Sequence, residues 1–578
     1  MAQLFPKFVS QEKGDTKMDN LFRAYHVSGS PIPAYFIEST ALNNVDDKPE
    51  ESNQPPHQDL SPLEPDDAID RMAEHLARAE QPEVVVIVHG FNNPQKAVLE
   101  RYAQAFEEAA KDGPISARAG LVCLGYRWPS EKMLQPLATS YSAAPVFLIW
   151  LSLFAMLFLA IALAWPYLFG PDPTYLRRLS YTLVWLLLAV PLAVSLLRLA
   201  VYFRDGYRAT NYGVPDLVDV IRQLDSKLTE KADSRGRAAK YKNPVKLSFI
   251  GHSMGGFVVT NAVRILSDVF SPPDPRAPEP DHISVAQFAE EKGYVRAQGL
   301  NAGNVGKEST QKIGKAFTLA QLVLVSPDIP AETLLSNRNN SLASSLRRFR
   351  EAYLFSNGGD EVLLQISTIA NYFSFPTRSR NHGLRLGNTE ALADCYGVAN
   401  LESLKARAGD IDEDSFLRDL RVGRLTLKEL FDQINDKRQK LLPQIFTYFD
   451  CTDYIEDGVG VLTRATPKPR VRRQDCLSAW GHIRLLYYYL FHHQKPDVHS
   501  GYFNACLARQ LILRVACLGL ADTLRAYHDE MNSAGDRTSA PLEAFSCVCA
   551  EKQIKVLLSP WTFQSLQKKE KASGVKIM

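Results

Sequence analysis

The sequence predicts an α/β fold with a mainly parallel central sheet, and two observations favour this class. Residues 83–88 are a run rich in β-branched residues, of the kind found in a strand that is buried on both faces of a sheet, and residues 121–130 predict another strand that ends in a turn. Helical patterns alternate with such runs, as in the crossover connections between parallel strands. Because 578 residues are too many for one simple core, we expect one large domain with insertions or two domains.

The expected elements follow one another in a regular order. An early strand over residues 34–38 precedes a polar, Pro-rich stretch over residues 46–67, which we expect to be a surface loop or linker. A short amphipathic helix over residues 67–80 then leads into the first buried strand. The further strands expected are residues 83–88, 121–130 with a turn at its end, the run that ends at Gly251, 319–325, 351–356 and 445–449. The further helices expected are residues 95–110, 214–224, the segment from the turn after Gly251 to about residue 269, 426–437, and the periodic stretch 505–524.

Composition limits the classes of function. The net charge of +2 gives no indication of nucleic-acid binding. The eight cysteines are scattered, and no cluster of Cys and His has the spacing of a zinc site, so we expect reduced thiols and no metal. Nothing in the sequence implies an organic cofactor. The N-terminal residues 1–20 contain charges and no apolar stretch, so we expect no signal peptide.

A glycine-flanked serine is the centre of the functional prediction. Gly251, Ser253 and Gly255 form a Gly-x-Ser-x-Gly pattern between an apolar strand and an apolar helix. Such a pattern holds a serine on a tight strand-to-helix turn, with its hydroxyl at the carboxyl end of the strand. A side chain at either glycine would crowd that turn. We therefore predict that Ser253 is a nucleophile.

A serine hydroxyl needs a base, and the base needs an acid that orients it. In folds with this kind of turn the chain order is serine, acid, histidine. Two aspartates follow strands after the serine, and we prefer Asp360 over the alternative acid Asp328. His499, in a loop that opens into a helix, is the preferred base, and His382 is the alternative.

A tetrahedral oxyanion also needs hydrogen-bond donors. The backbone N–H of Met254, directly after the nucleophile, is one candidate. The loop after residues 83–88 supplies the other, because Gly90 lets the chain turn its amides inward. We predict that the N–H of Phe91 is the second donor of this oxyanion hole.

Two long uncharged runs interrupt the α/β pattern. Residues 133–171 and residues 179–197 contain no charged side chain, and each run can cross a hydrocarbon core of roughly 30 Å. We predict a transmembrane hairpin that returns the chain to its starting side. Positively charged residues near membrane spans are more frequent on the cytoplasmic side, and three arginines follow the second run: Arg198, Arg204 and Arg208. They favour the cytoplasm for the catalytic part, although two arginines in the short loop between the runs oppose that assignment.

The predicted domain organisation is built around this insertion. The connection that holds it leaves the sheet at the carboxyl ends of the strands, where the serine also lies, so we expect the bilayer on the catalytic side. We divide the chain into an N-terminal strand and disordered or linker segment (1–80), a first part of the catalytic domain (81–132), the transmembrane hairpin (133–205), the remainder of the catalytic domain with insertions (206–530) and a C-terminal extension (531–578).

Taken together, these residues resemble the α/β-hydrolase superfamily, and more narrowly a mostly bacterial family of predicted serine esterases or lipases. The resemblance rests on motifs that occur in order over roughly residues 80–505: His89-Gly90-Phe91-Asn92-Asn93, Trp128-Pro129-Ser130, Tyr202-Phe203-Arg204-Asp205, Gly251-His252-Ser253-Met254-Gly255, Pro327-Asp328-Ile329, Ser356-Asn357 with Asp360, Arg385-Leu386-Gly387, and His499-Ser500-Gly501-Tyr502-Phe503. It implies that Ser253 is the nucleophile and His499 the base, and it argues against His382. The chain departs from the family pattern in the hairpin and in residues 388–444 and 453–498.

We therefore expect a membrane-anchored serine hydrolase that cleaves carboxylic esters through an acyl-enzyme. The expected partners are a lipid or other acyl-ester substrate and the bilayer, and the oligomeric state stays open. An acyl-protein thioesterase or a peptidase using the same triad is the first alternative. A non-catalytic membrane scaffold that keeps the hydrolase fold is the second.

Overall fold

The computed structural model describes the core of the chain in separate stretches. The described residues are 22–41, 60–130, 201–234, 244–270, 312–330, 348–360, 362–367, 385–391, 395–401, 446–456, 498–534 and 540–578, with shorter pieces between them. All structural statements below refer to these residues.

The strands form one large sheet and two small ones. In chain order they are β1 (Phe22–Val27), β2 (Ala34–Ser39), β3 (Leu60–Leu63), β4 (Glu83–Val88), β5 (Leu121–Arg127), β6 (Val245–His252), β7 (Lys312–Ile313), β8 (Phe317–Val325), β9 (Glu351–Ser356), β10 (Thr389–Ala391), β11 (Gly397–Val398), β12 (Leu420–Val422), β13 (Leu425–Thr426), β14 (Thr447–Asp450), β15 (Ile455–Glu456), β16 (Val459–Gly460) and β17 (Lys555–Leu557). Within the described chain, twelve of these strands belong to the large sheet, whose order is β11–β17–β14–β9–β8–β6–β4–β5–β2–β1–β3 with β7 paired to β8.

The centre of the large sheet is parallel, as predicted. Every neighbouring pair in the central part of the sheet is parallel, in the order β2, β5, β4, β6, β8, β9 and β14. The antiparallel pairs β1–β2, β1–β3 and β14–β17 lie at its two sides. All residues of β4, β5 and β9 are buried, which explains their continuous apolar sequences. The expectation of a mainly parallel sheet is confirmed.

Helices cover both faces of this sheet. They are α1 (Pro65–Arg78), α2 (Gln95–Lys111), α3 (Gly113–Ser116), α4 (Val214–Ser234), α5 (Met254–Phe270), α6 (Cys506–Cys517), α7 (Leu520–Ala534), α8 (Pro541–Glu551) and α9 (Pro560–Ser573). Successive residues of a strand point to opposite faces. Val84, Val86 and Val88 therefore pack with α1, α4 and α5, whereas Val85 and Ile87 pack with α2, α6, α7 and α8 on the other side.

The chain reverses its direction of travel across the sheet at β4. The connection from β4 leads to β5 on one side, and the later strand β6 pairs with β4 on the other side. In open α/β sheets, ligands bind in the crevice at the carboxyl ends of strands where the order reverses in this way. The turn after β4 and the turn after β6 meet at that point, and they contain Phe91 and Ser253.

The structure corrects the predicted boundaries at both ends of the chain. The stretch 46–67, predicted to be a loop or linker, contains β3 and the start of α1, and β3 pairs with β1 in the large sheet. The predicted boundary at residue 530 lies inside α7, and β17 from the predicted C-terminal extension pairs with β14. Segments 1–80 and 531–578 thus contribute strands to the central sheet.

Part of the predicted insertion lies outside the described residues. The two uncharged runs at 133–171 and 179–197 are almost entirely among the residues not described, as is most of the helix predicted over residues 426–437. Within the described part of the chain, no helix has the length and apolar character needed to cross a bilayer. The chain is described again from residue 201, where a helical stretch continues through a π-helical turn (Ala209–Gly213) into α4.

Candidate active site

The turn that carries Ser253 is sharp and strained. β6 ends at His252, α5 begins at Met254, and Ser253 between them has a backbone φ of +54°. A side chain in this left-handed region costs roughly 1–2 kcal/mol, so the surrounding structure must hold it there. Two hydrogen bonds do so: the Ser253 N–H donates to the Val325 carbonyl (3.0 Å), and the Asp328 N–H donates to the Ser253 carbonyl (3.0 Å).

Both glycines of the motif are required by close backbone contacts. A Cβ atom on Gly251 would lie 2.7 Å from the Gly256 Cα atom, and one on Gly255 would overlap the carbonyl oxygen of Val88. The second contact presses the first turn of α5 against the end of β4. The motif therefore fixes both the bend of the chain and the packing of α5 on the sheet.

Three predicted site residues meet at the carboxyl edge of the sheet. His499 Nε2 lies 2.8 Å from Ser253 Oγ, and His499 Nδ1 lies 2.7 Å from Asp360 Oδ2. An ionised carboxylate only accepts hydrogen bonds, so Nδ1 carries the hydrogen and Nε2 accepts from the serine hydroxyl. Ser253 and Asp360 are fully buried, and the His499 side chain is 12% exposed. This geometry allows the imidazole to take the serine proton.

Asp360 is held in place by three donors besides the imidazole. The hydroxyl of Ser326 donates to Oδ2 (2.6 Å), and the backbone N–H groups of Val362 and Leu363 each donate to Oδ1 (3.1 Å). These contacts leave the carboxylate little freedom to rotate. Oδ2 is consequently fixed in the direction of His499.

The loop that carries His499 is held by the residue before the nucleophile. His252 Nε2 lies 2.9 Å from the backbone carbonyl of His499, so Nε2–H is the donor. Burial is the main cause that lowers the pKa of His252 well below its ordinary value, and the neighbouring His499 adds to the shift. A neutral His252 with its hydrogen on Nε2 thus positions the base loop without adding charge beside the imidazole.

The turn after β4 lies against Ser253. A Cβ atom on Gly90 would come 2.6 Å from Ser253 Cβ and 3.1 Å from its Oγ, so only glycine fits at this position. The ring of Phe91 lies 6.4 Å from that of His499 and 5.7 Å from that of Tyr202, measured between centroids. The predicted oxyanion loop therefore borders the serine directly.

The orientation of the Phe91 N–H follows from the preceding carbonyl. The Gly90 carbonyl accepts hydrogen bonds from His89 Nδ1 (2.7 Å) and from Asn93 Nδ2 (3.0 Å). In a planar trans peptide, the N–H of the next residue points the opposite way. Met254 is the first residue of α5, so its N–H has no partner within the helix. Both proposed donors are thus backbone amides at turns that adjoin Ser253.

His89 is a fixed, uncharged part of this loop. Its ring stacks on Trp128 with 5.2 Å between centroids, its Nε2 accepts from the Trp128 backbone N–H (3.3 Å), and the Trp128 indole N–H donates to the His89 carbonyl (2.9 Å). Burial lowers the pKa of His89 to about 3. The ring therefore stays neutral at physiological pH and keeps its Nδ1–H for Gly90.

The alternative acid, Asp328, faces a different partner. Its carboxylate lies 3.1 Å from Arg385 Nε and accepts a hydrogen bond from Ser367 Oγ (3.1 Å). Arg385 also donates to the hydroxyl of Tyr202 (3.1 Å). Asp328 is thus close to the nucleophile through its backbone, while its carboxylate belongs to a buried ion pair. The alternative base, His382, lies outside the described residues.

Three contributing residues received no role from the sequence: Ser326, His252 and Asp205. His252 adjoins Ser253 and Ser326 directly follows β8, whereas Asp205 belongs to one of the motifs that carry the family resemblance. Their positions were thus noticeable, but their partners come from distant parts of the chain. No group of His, Cys, Asp and Glu with a geometry suited to a metal ion occurs among the described residues.

Comparison with known protein families matches residues 64–142 to a family described as "Alpha/beta hydrolase of unknown function (DUF900)". No curated protein matches the chain, and no solved structure does. The matched segment includes α1, β4, the loop at Gly90 and β5. Together with the mostly parallel sheet, this match assigns an α/β-hydrolase-like domain to the chain.

Proposed function

We propose that the chain is a serine hydrolase that cleaves carboxylic esters through an acyl-enzyme on Ser253. The observation that supports this most strongly is the continuous hydrogen-bonded series from Ser253 Oγ through His499 to Asp360. Each member has the partner that the chemistry requires, and the acid is itself held by backbone donors. The hydrolase family of the match supports the general class of reaction.

The proposed reaction has two stages. Ser253 Oγ attacks the ester carbonyl carbon while its proton passes to His499 Nε2, and the oxyanion accepts hydrogen bonds from the N–H groups of Phe91 and Met254. The C–O bond to the alcohol then breaks, and His499 returns the proton to the departing alkoxide oxygen. A water molecule then attacks the acyl-enzyme while His499 accepts its proton. Collapse of the resulting tetrahedral intermediate releases the carboxylic acid and restores Ser253.

Lipid-like esters are the proposed substrate class, and the membrane is the proposed location. The two uncharged runs enter the chain between β5 and α4, and β5 ends at the same edge of the sheet as β4 and β6. The first described residues after the runs reach the site, because Tyr202 packs on Phe91. These facts support a two-pass anchor with the bilayer on the catalytic side. The arginines that follow the second run favour the cytoplasm for the catalytic domain.

A fluorophosphonate probe tests the proposed nucleophile. Such a probe phosphonylates an activated serine, so we expect it to label the wild type and not Ser253→Ala. Ser267→Ala is a matched control, because Ser267 is also a buried serine but lies near the far end of α5, away from the base. Labelling that persisted in Ser253→Ala would contradict the assignment.

A panel of substrates tests the reaction class. The same triad also serves thioesterases and peptidases, so p-nitrophenyl esters, thioesters and peptides should be compared with the same preparation in detergent and in liposomes. We expect the highest kcat/KM for esters with long acyl chains. Failure to cleave any of these substrates would favour the non-catalytic scaffold, which the fully hydrogen-bonded triad argues against.

A further inference from the structure

A buried carboxylate connects the C-terminal end of the insertion to the proposed oxyanion loop. Asp205 lies in the helical stretch 201–208, which directly follows the second uncharged run, and it has no exposed surface. The proposed mechanism does not use it. Burying an ionised carboxylate is costly unless donors and cations surround it, so its partners indicate what it does.

Asp205 holds two consecutive amides of the loop. Its Oδ2 accepts from the backbone N–H of Asn92 (3.1 Å) and from the hydroxyl of Ser130 (3.1 Å). The Ser130 oxygen in turn accepts from the backbone N–H of Asn93 (3.2 Å). The carboxylate thus binds one amide directly and the next through a hydroxyl.

Cations balance the charge of Asp205. Arg204 contacts Oδ1 through its guanidinium (2.9 Å), and Arg208 Nη1 lies 3.8 Å from the same oxygen. Burial raises the pKa of Asp205, and the charge of Arg204 opposes that shift. The arrangement leaves Oδ2 available for the loop.

The contacts of Asp205 act on the residue next to the proposed donor. Asn92 has a backbone φ of +58°, a conformation that needs support from its surroundings. The peptide between Phe91 and Asn92 is held at both ends, because Asn93 Nδ2 donates to the Phe91 carbonyl (2.9 Å) and Asp205 accepts from the Asn92 N–H. With the Gly90 carbonyl also bound, the peptides on both sides of Phe91 are fixed.

We propose that Asp205 is a positioning residue of the oxyanion hole, which fixes the Phe91 N–H by binding the amides of Asn92 and Asn93. The inference rests on the proposed function. It also makes the segment that leaves the insertion a structural part of the catalytic site.

A pair of substrates that differ in one atom tests this role. A thionoester places a larger sulfur, which is a weaker hydrogen-bond acceptor, where the ester places its carbonyl oxygen. An intact oxyanion hole therefore favours the ester, and a misplaced donor reduces that preference. We expect Asp205→Asn to lower kcat for the ester by about 10²-fold with a much smaller change in KM, and to lower the ester-to-thionoester rate ratio by about 10-fold.

Two further variants separate positioning from general destabilisation. Asp216→Asn alters another buried aspartate, which accepts from Ser39 and lies away from the loop, and we expect its ester-to-thionoester ratio to equal that of the wild type. Ser130→Ala removes the hydroxyl that links Asp205 to the Asn93 amide and leaves the direct contact between Asp205 and the Asn92 amide in place. Ser130→Ala should lower the ester-to-thionoester rate ratio, as Asp205→Asn does, but by a smaller factor. If Asp205→Asn does not fold, Ser130→Ala takes its place in the test.

Amide hydrogen exchange gives a readout that needs no turnover. In Asp205→Asn, exchange should increase in peptides that cover residues 90–93 and stay unchanged in those that cover β6. Three results in Asp205→Asn would each overturn the proposal. They are an equal fall in kcat for the ester and the thionoester, no change in either kcat, and no change in amide exchange in the loop. A wild type that cleaved neither substrate would refute the proposed function instead, and the exchange data would still decide whether Asp205 holds the loop.

Discussion

Two buried aspartates follow neighbouring strands of the sheet, yet their carboxylates have different partners. Asp328 comes after β8 and is 3% exposed, and Asp360 comes after β9 and is 0% exposed. Asp360 accepts a hydrogen bond from His499, whereas Asp328 pairs with Arg385. Position at a strand end therefore makes an aspartate a candidate acid, and the group that its carboxylate faces decides its role.

The difference is electrostatic as well as geometric. A carboxylate that already pairs with a guanidinium gives less stabilisation to an imidazolium than one whose other donors are neutral amides and a hydroxyl. Ser326, which has a backbone φ of +44°, directly follows β8 and donates to the proposed acid after β9. Asp328 instead ties Arg385 and Tyr202 to the strand next to the nucleophile.

The largest expected effect comes from neutralising the proposed acid. Asp360→Asn keeps the shape but offers an amide to His499, which favours the wrong tautomer of the imidazole. We expect kcat/KM for an ester to fall by about 10³–10⁴-fold, with a melting temperature close to that of the wild type. A loss smaller than that of Asp328→Asn would exchange the roles of the two aspartates.

The next largest effect concerns the loop that both carboxylate sites border. Gly90→Ala places a methyl group against Ser253, so the loop must move and carry the Phe91 N–H with it. We expect kcat to fall by about 10²–10³-fold. Gly206→Ala is the matched control, because a Cβ atom there meets no atom within 4 Å, and it should keep full activity. Retained activity in Gly90→Ala would argue against this loop as the oxyanion donor.

Asp328→Asn should affect stability more than chemistry. Removing one partner of a buried ion pair leaves Arg385 uncompensated, which typically costs about 3–5 kcal/mol. We expect a clearly lower melting temperature and, at a temperature where the protein is folded, a loss of kcat/KM of less than about 10-fold. A normal melting temperature with strongly reduced kcat would show that the carboxylate acts in catalysis.

The smallest expected effect involves Asp216, a third buried aspartate whose carboxylate accepts from the Ser39 hydroxyl. Burial raises its pKa to about 6 from 3.8, so the folded state binds its proton more tightly than the unfolded state. Its contribution to stability is therefore most favourable at low pH and is lost as pH rises from 3.8 to about 6.

Melting temperatures measured at both ends of this pH range test that linkage. Asp216→Asn cannot ionise, so it should be more stable than the wild type by about 1 kcal/mol at about pH 8, after allowance for solvent screening, and nearly equal to it at about pH 4. A stability difference that did not depend on pH would show that the carboxylate is not destabilised by burial.

The sequence was sufficient wherever local geometry dictates the residues. The turn at Ser253 requires glycines on both sides, and the apolar runs that begin at Glu83 and Leu121 form the buried strands β4 and β5. The residues at these positions are restricted by contacts within a few residues of the turn or by burial on both faces of the sheet. Restrictions of this kind produce a residue pattern that can be recognised in a single sequence.

The sequence was insufficient where the partner is distant. β3 and β17 have four and three residues, too few to show a period, and they exist because longer strands pair with them. Asp205 binds an amide 113 positions away. For the same reason, the choice between Asp328 and Asp360 depended on where Arg385 and His499 lie in space, which residue spacing does not indicate.

The hydrogen bond between Ser130 and Asp205 also bears on how the protein could have arisen and how it could be shortened. These two residues flank the insertion, and their side chains lie 3.1 Å apart. The segment between them therefore leaves and rejoins the domain at a single junction, as expected for a module acquired in one step. A short Gly/Ser linker could bridge that junction and yield a compact version for crystallography, provided that both flanking side chains are retained.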